Sequence, residues 1–271
     1  MYRDDAKGCW WITVSGLDPD KEYRYQYHLG DRASVAGDPD KVVRLSDAFC
    51  EKVLDPDNDP WINEYAAVYP EEQMEYPDGG SGTVSCVKIN RDEFAWEPFT
   101  FTNSECPVIY EMLLGDFTET HDIAGAMKKL DYLQALGVNA VELMPIQEFD
   151  GNNSWGYNPN SFFALDKAYG TREDYKKFID ECHKRGMAVF FDVVYNHAFD
   201  GGNFCYNKIV PNYFSRFYGE GNWSNGSGVG NDIATERTMA RNYIVDSVLY
   251  WVEEYHIDGF RFDLAGLIDV A

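Results

Sequence analysis

From Val108 onward the chain alternates short apolar runs with amphipathic stretches, and this alternation restricts the fold more than any other feature. VIYEMLL is a strand-like run. DIAGAMKKLDYLQALG then reads as a helix, with Ile123, Met127, Leu130, Leu133 and Leu136 near helical spacing and Gly137 as its stop. NAVELMPI is a second strand. TREDYKKFIDECHKRG is a second helix: Thr171 stands at the cap, Tyr175, Phe178, Ile179 and Cys182 form one stripe, and Gly186 ends it. MAVFFDVVYNH, RNYIVDSVLYWVEEYH and IDGFRFDLA add a strand, a helix and a fourth strand. This order predicts a parallel sheet with right-handed crossovers, covered on both faces. A doubly wound sheet and a (β/α) barrel both fit. The Rossmann version lacks its phosphate loop, because the first strand runs into LLGDFTETHD with no GxGxxG. The Gly/Asn-rich stretch 198–232 is too long for a simple connection and is expected to carry function.

Residues 1–106 read differently. WWITVSG, the alternating LDPDKEYRYQYHL and TVSCVKI are strand-like, and GDPD, DPDNDP and YPDGGSG are turns. They predict a small all-β unit with many loops.

Charge restricts the partners. The chain has 23 basic and 46 acidic residues, a net charge of -23. Phosphate-rich nucleic acid and anionic membrane surfaces would be repelled, whereas a neutral substrate would not. Seven Trp, 19 Tyr and 17 Phe suit stacking on sugar faces, and equally suit large cores and strand propensity. The six cysteines (Cys9, Cys50, Cys86, Cys106, Cys182 and Cys205) form no CxxC or Cys/His cluster, so free thiols are expected rather than a disulfide framework or a zinc site. MYRDDAKGCWW has no apolar signal-peptide core, and no run is long enough to span a bilayer; a cytoplasmic protein is the expectation.

In a (β/α) barrel the catalytic groups sit at the C-terminal ends of the strands. Polar residues cluster at three such ends: PIQEFDGNNSWGYNP after the second strand, Asp192, Asn196 and His197 in DVVYNH on the third, and Arg261 and Asp263 in GFRFD on the fourth. Strand alternation puts Arg261 and Asp263 on one face and Phe260 and Phe262 on the other, a charged pair expected to be buried. Each has a bland explanation alone. Asp192 suits a paired structural acid, His197 a loop histidine, Asn152, Asn153 and Asn158 turn residues, and Arg261 with Asp263 a structural ion pair. Together at one end of one sheet, they point to a single site.

DVVYNH at 192–197, GFRFD at 259–263 and SWGYNP at 154–159, in this order and on these strands, resemble signature segments of the alpha-amylase superfamily, glycoside hydrolase family 13. The resemblance runs from Val108 to the end. It implies an all-β sandwich-like N-terminal module over residues 1–106, similar to a starch-binding module. The first half, (β/α)4, of a TIM (β/α)8 barrel would follow over residues 107–271. It implies that Asp263 is the nucleophile forming a covalent glycosyl-enzyme intermediate, and that Arg261 keeps it ionised and oriented. Tyr157 would stack on the reacting sugar, His197 would bond its hydroxyls, and Asp192 would support the site. Asn196 matches a position that in some members binds a structural calcium. The other ligands of such a site are not identifiable, so calcium remains an option and no metal is assigned. Where many amylases carry Lys-His after the nucleophile, this chain has Ala265-Gly266-Leu267, and FDLAGLID and GVGNDIATER look more like pullulanase-type debranching enzymes.

The resemblance thus implies a retaining hydrolase of α-glucans such as starch, glycogen or pullulan, acting at α-1,6 branches. Alpha-amylase and branching activities are alternatives within the same superfamily. In this family the acid/base Glu lies on the fifth barrel strand and a further Asp after the seventh. Room for four strands, and Trp10 and Trp11 almost at the start, give the expectation of a fragment truncated at both ends. It would be inactive alone and, with two open sheet edges, poorly soluble or oligomeric. Two rival readings are a non-catalytic glucan-binding protein and an unrelated α/β enzyme such as a sugar isomerase. The first has no need of an arginine-held carboxylate, and the second finds no metal-ligand set or cofactor loop.

Overall fold

Residues 1–30, 42–67, 69–91, 93–102, 105–202, 204–219 and 221–270 are described by the computed structural model. Turn chemistry divides the N-terminal part into short pieces. β1 (Tyr2–Asp4) and β2 (Cys9–Trp11) form an antiparallel hairpin. β3 (Glu22–Tyr25), β4 (Tyr27–Leu29), β5 (Val43–Leu45), β6 (Val53–Leu54) and β7 (Val84–Lys88) follow. β7 lies between β3 and β6, and β4 pairs with β5, all antiparallel. Among the described residues the strands form three separate small sheets. The segment expected as a strand from Trp10 is paired only to Trp11, and Trp10, Trp11, Ile12 and Val14 are exposed. The turn expected at GDPD, 37–40, lies outside the described residues.

The strands and helices predicted from Val108 onward form in sequence order. β8 (Ile109–Met112) leads into α1 (Leu114–Phe117), α2 (Ile123–Met127) and α3 (Leu130–Ala135). β9 (Ala140–Leu143), α4 (Arg172–Lys184) and β10 (Ala188–Val193) come next. The 198–232 stretch holds α5 (Cys205–Ile209) and the two-stranded ribbon β11 (Phe217–Tyr218) and β12 (Asn222–Trp223). α6 (Thr238–Tyr255) and β13 (Gly259–Phe262) complete the order. The sheet runs β13-β10-β9-β8, every pair parallel, with β8 and β13 at its edges. All four strands therefore point their C-terminal ends the same way.

α4 shows how the sequence builds a crossover. The Thr171 hydroxyl accepts from the Asp174 backbone while the Asp174 carboxylate takes the Thr171 N–H, a closed capping box. Tyr175, Phe178, Ile179 and Cys182 are fully buried. Burying a large apolar side chain is worth about 1.5–3 kcal/mol, against about 1 kcal/mol for a cap, so the stripe sets the helix's orientation and the cap sets its start.

The single helix expected over DIAGAMKKLDYLQALG is instead two, broken at Lys128 and Lys129. Asp122 caps α2 by accepting from Gly125 N. The Gly125 position is crowded by the Thr118 and Thr120 hydroxyls, so no side chain fits there. The buried residues are Ile123, Ala126, Leu130 and Leu133, while Leu136 is exposed. Ala126 is fully buried at this break, and Met127, expected on the buried stripe, is only partly buried against the same core.

One core joins the two parts. Leu45 and Ala48 belong to the same buried cluster as the strands of the parallel sheet, and the Tyr243 hydroxyl donates to Ala48 O at 2.7 Å. Residues 94–101 run along the parallel sheet's helices: Trp96 stacks on His256, Phe99 on His183, and Phe101 meets Phe190 edge-on. His256 closes α6 in a left-handed conformation (φ 52), held under the Trp96 ring. Among the described residues no helix is long and apolar enough to cross a membrane.

Candidate active site

The expected residues converge at the C-terminal ends of β9, β10 and β13. Paired in register, Asp192 of β10 and Arg261 of β13 lie side by side. Arg261 Nη1 donates to both Asp192 oxygens, at 3.0 and 2.9 Å, and to Asp263 Oδ1 at 2.9 Å. One nitrogen thus bridges two carboxylates. The pair expected to be buried is only partly so. Asp192 is inaccessible, Asp263 is 15% exposed and Arg261 is 42% exposed, because β13 is an edge strand of this sheet.

Asp263 is fixed on every side but one. It stands just after β13, and its backbone N–H donates to Val193 O at 3.0 Å. Asn196 Nδ2 donates to its carbonyl at 2.9 Å and approaches Oδ2 at 3.4 Å. The next residue, Leu264, has a left-handed backbone (φ 43), which a branched side chain adopts only at a cost and which turns the chain sharply away. The result is a carboxylate presented at a strand end with both oxygens oriented.

Tyr157 joins the same network. Its hydroxyl donates to Asp192 Oδ2 at 2.7 Å, and the Arg261 guanidinium lies 5.9 Å from its ring centroid. Burial first, and then Asp192, raise the Tyr157 pKa, so the phenol stays a donor. Gly156 explains the loop that delivers it. At φ 88 it lies so close to the Pro145 carbonyl that any side chain would collide. The 154–159 segment therefore lies directly on the end of the second strand.

His197 is buried beneath Tyr157. Its Nε2 meets the Tyr157 carbonyl at 2.9 Å and its Nδ1 meets Asn196 Oδ1 at 2.6 Å. Both partners accept, so both contacts are hydrogen bonds only when the ring is doubly protonated. Burial opposes that and is the larger influence: it pushes the His197 pKa below its ordinary value, against the pull of Tyr157 O, Asp263 and Asp232. Burial likewise raises the Asp192 pKa, opposed by Tyr157 and Arg261 and assisted by Asp263.

The long 198–232 stretch supports this floor. Asn231 clamps Ala198 through both backbone groups, and Ile233 N donates to Asn196 O at 2.8 Å. Asp232 accepts from the Ser224 hydroxyl and from the backbone of Gly226 and Ser227; burial pushes its pKa up, but these donors, Ser224 first, outweigh burial and hold it low. Sequence reading gave Asn231 and Asp232 no role, although both stand in the GVGNDIATER segment. The dull reading suits Asn152, whose side chain bonds Asn58 O.

A second group was also missed. Glu111 of β8 and Glu142 of β9 are paired in register, and their carboxylates approach that of Asp192 within 4.8 Å. Burial, then Asp192 and Glu111, raise the Glu142 pKa. The signal was present as single acids inside the apolar runs IYEM and AVEL. This acidic group does not fit a resident cation. Asp192 already spends its oxygens on a guanidinium and a phenol. The calcium option at Asn196 fares no better: its oxygen faces His197, its nitrogen faces Asp263, and Asp232 is ringed by donors rather than by the six to eight oxygens calcium takes.

Residues 98–209 match the family described as alpha amylase, catalytic domain. The chain is 38% identical over 221 residues to a pullulanase of Bacillus subtilis, covering 68% of this chain and 31% of that protein. It is 34% identical over 266 residues to a malto-oligosyltrehalose trehalohydrolase of Saccharolobus solfataricus, covering 97% of this chain and 39% of that one. The crystal structure of pullulanase type I from Bacillus subtilis in complex with maltose superposes with a TM-score of 0.69 at 32% identity, covering 84% of this chain and 34% of that one. The chain thus spans about a third of the length of the relatives it matches. With the family's catalytic domain matched and pullulanase and trehalohydrolase relatives on either side, the chain belongs to the alpha-amylase family.

Proposed function

We propose that these residues form the nucleophile half of a retaining α-glucan hydrolase site, acting at α-1,6 branch points. The observation that carries this reading is the single Arg261 nitrogen shared by Asp192 and Asp263, with Asn196 on the far side of Asp263. A carboxylate so oriented, and still accessible on one side, is suited to attack an anomeric carbon. The bond from C1 to the leaving oxygen breaks as the bond to Asp263 forms. Tyr157 supplies an aromatic face for the sugar, His197, expected to bond the sugar's hydroxyls, is instead buried and braces the Tyr157 carbonyl from beneath, and Asp192 anchors both Tyr157 and Arg261.

A retaining glycosidase also needs an acid/base carboxyl about 5 Å from the nucleophile. Among the described residues the parallel sheet has four strands, and in this family that Glu belongs to a fifth. The 107–271 part reads as the first half of the eight-stranded barrel, and 1–106 as a starch-binding-like module beside it. The expected result is that the 271-residue chain binds maltotetraose in calorimetry but releases no reducing ends from pullulan or starch. Measurable turnover of either polymer would overturn the half-site reading, and failure to bind any glucan would overturn the substrate class.

A second reading is favoured by one observation. The trehalohydrolase match spans 97% of the chain, N-terminal part included, whereas the pullulanase match spans 68%. Competition between malto-oligosyltrehalose and a branched glucan for the chain separates the two, the tighter binder naming the specificity.

A further inference from the structure

We infer that Trp155 with the small cavity beneath it is a second sugar position, holding a glucose unit next to the one on Tyr157; this rests on the α-glucan reading above. Trp155 is 66% exposed, unusually open for a tryptophan in a loop this well fixed. The residue is separated from Tyr157 only by Gly156, whose contact with Pro145 locks the segment in place. Beside it a cavity of about 260 Å³ is lined by Leu113, Asp116, Asn152, Asn153 and Tyr169. Leu113 follows β8 and the asparagines follow β9, so the cavity opens on the same rim as the site.

The chemistry suits a neutral sugar. One wall is a free indole face, against which the C–H face of a pyranose buries apolar surface. Asn153 and Asp116 are both exposed and make no side-chain hydrogen bond among the described residues, leaving an amide and a carboxylate for sugar hydroxyls. Asn152 is tied to Asn58 O and Tyr169 closes the floor, its hydroxyl reaching Ser154 O at 3.5 Å. The cavity has no cation among its lining residues, which argues against an anionic ligand.

The test titrates maltotetraose into the 271-residue chain and into its Trp155→Ala, Trp155→Phe and Tyr157→Ala variants. Collisional quenching of tryptophan fluorescence by iodide is followed in parallel. Trp155→Ala should weaken binding about tenfold, and Trp155→Phe should recover most of it, as expected for a stacking surface. Maltotetraose should protect part of the emission from iodide, and Trp155→Phe should abolish that protection. If Tyr157→Ala loses binding while Trp155→Ala binds like the parent chain, the inference is overturned and the glucan reading survives. If the parent chain binds no glucan, both are overturned. Because Trp155 is open to solvent, its replacement leaves the core intact, and coincident urea midpoints check this.

Discussion

Asp192 and Asp263 share one guanidinium nitrogen: Arg261 Nη1 lies 2.9 Å from a carboxylate oxygen of each. The two acids differ in surroundings, Asp192 being inaccessible and Asp263 open on one side. On the proposed reading the buried acid is the anchor and the open one the reacting group.

Replacing Arg261 by Met leaves Asp192 buried beside a second acid with no cation. Loss of one partner of a buried pair costs about 3–5 kcal/mol, reduced here because Arg261 is partly solvated, so about 1–3 kcal/mol is expected. Urea unfolding of the variant measures it. A companion Arg261→Met/Asp192→Asn variant should recover part of the loss, because the unpaired buried charge is gone.

Tyr157→Phe removes the 2.7 Å hydrogen bond to Asp192 while keeping the ring. A bond to a charged acceptor at a half-buried site is worth about 1–2 kcal/mol. Stability should fall by that amount while glucan affinity changes little. Tyr157→Ala should lose both. Equal affinity in the alanine variant would remove Tyr157 from the sugar site.

The lowered pKa of His197 has a pH signature. In the folded chain the neutral ring is favoured, so the unfolded state, near the ordinary 6.5, takes up its proton first. The contribution to stability is complete above about pH 6.5 and declines as pH falls through the folded-state value. His256, also lowered by burial and by the nearby His183, acts in the same direction. Buried acids such as Asp166, raised to about 7, act in the opposite direction, so the readout is the difference from the parent chain: His197→Asn and His256→Asn should each lose less stability than the parent as pH falls from about 7.5. A parent-to-variant difference in urea midpoint that stays constant from about pH 7.5 downward would contradict the assignment.

Thr171→Ala opens the capping box of α4 and should cost about 1 kcal/mol, with Thr171→Ser close to neutral. Differential scanning calorimetry on the three proteins checks the order.

What the sequence revealed were the features with local signatures. The Thr171 box, the buried stripe of α4 and the four apolar strands each depend on residues a few positions apart. Asp192, Arg261, Asp263, His197 and Tyr157 were legible because they stand at strand ends in recognisable segments. Features that depend on distant contacts were not. The break at Lys128 and Lys129 accompanies the crowding of Gly125 by Thr118 and Thr120. The closeness of Glu111, Glu142 and Asp192 exists only once three strands are in register. The exposure of Arg261 follows from β13 lying at the sheet edge, which alternation along one strand does not report.

The central claim is that Asp263 is the nucleophile, and an activated substrate tests it without needing an acid/base group. A fluorinated α-glucosyl fluoride carries its own good leaving group, so attack by Asp263 forms the C1–oxygen ester and expels fluoride. Peptide mass mapping of the treated chain should find the added sugar on Asp263, and Asp263→Asn should abolish it. An unlabelled chain, or a label on Glu111, Glu142 or Asp192 that persists in Asp263→Asn, would contradict the account.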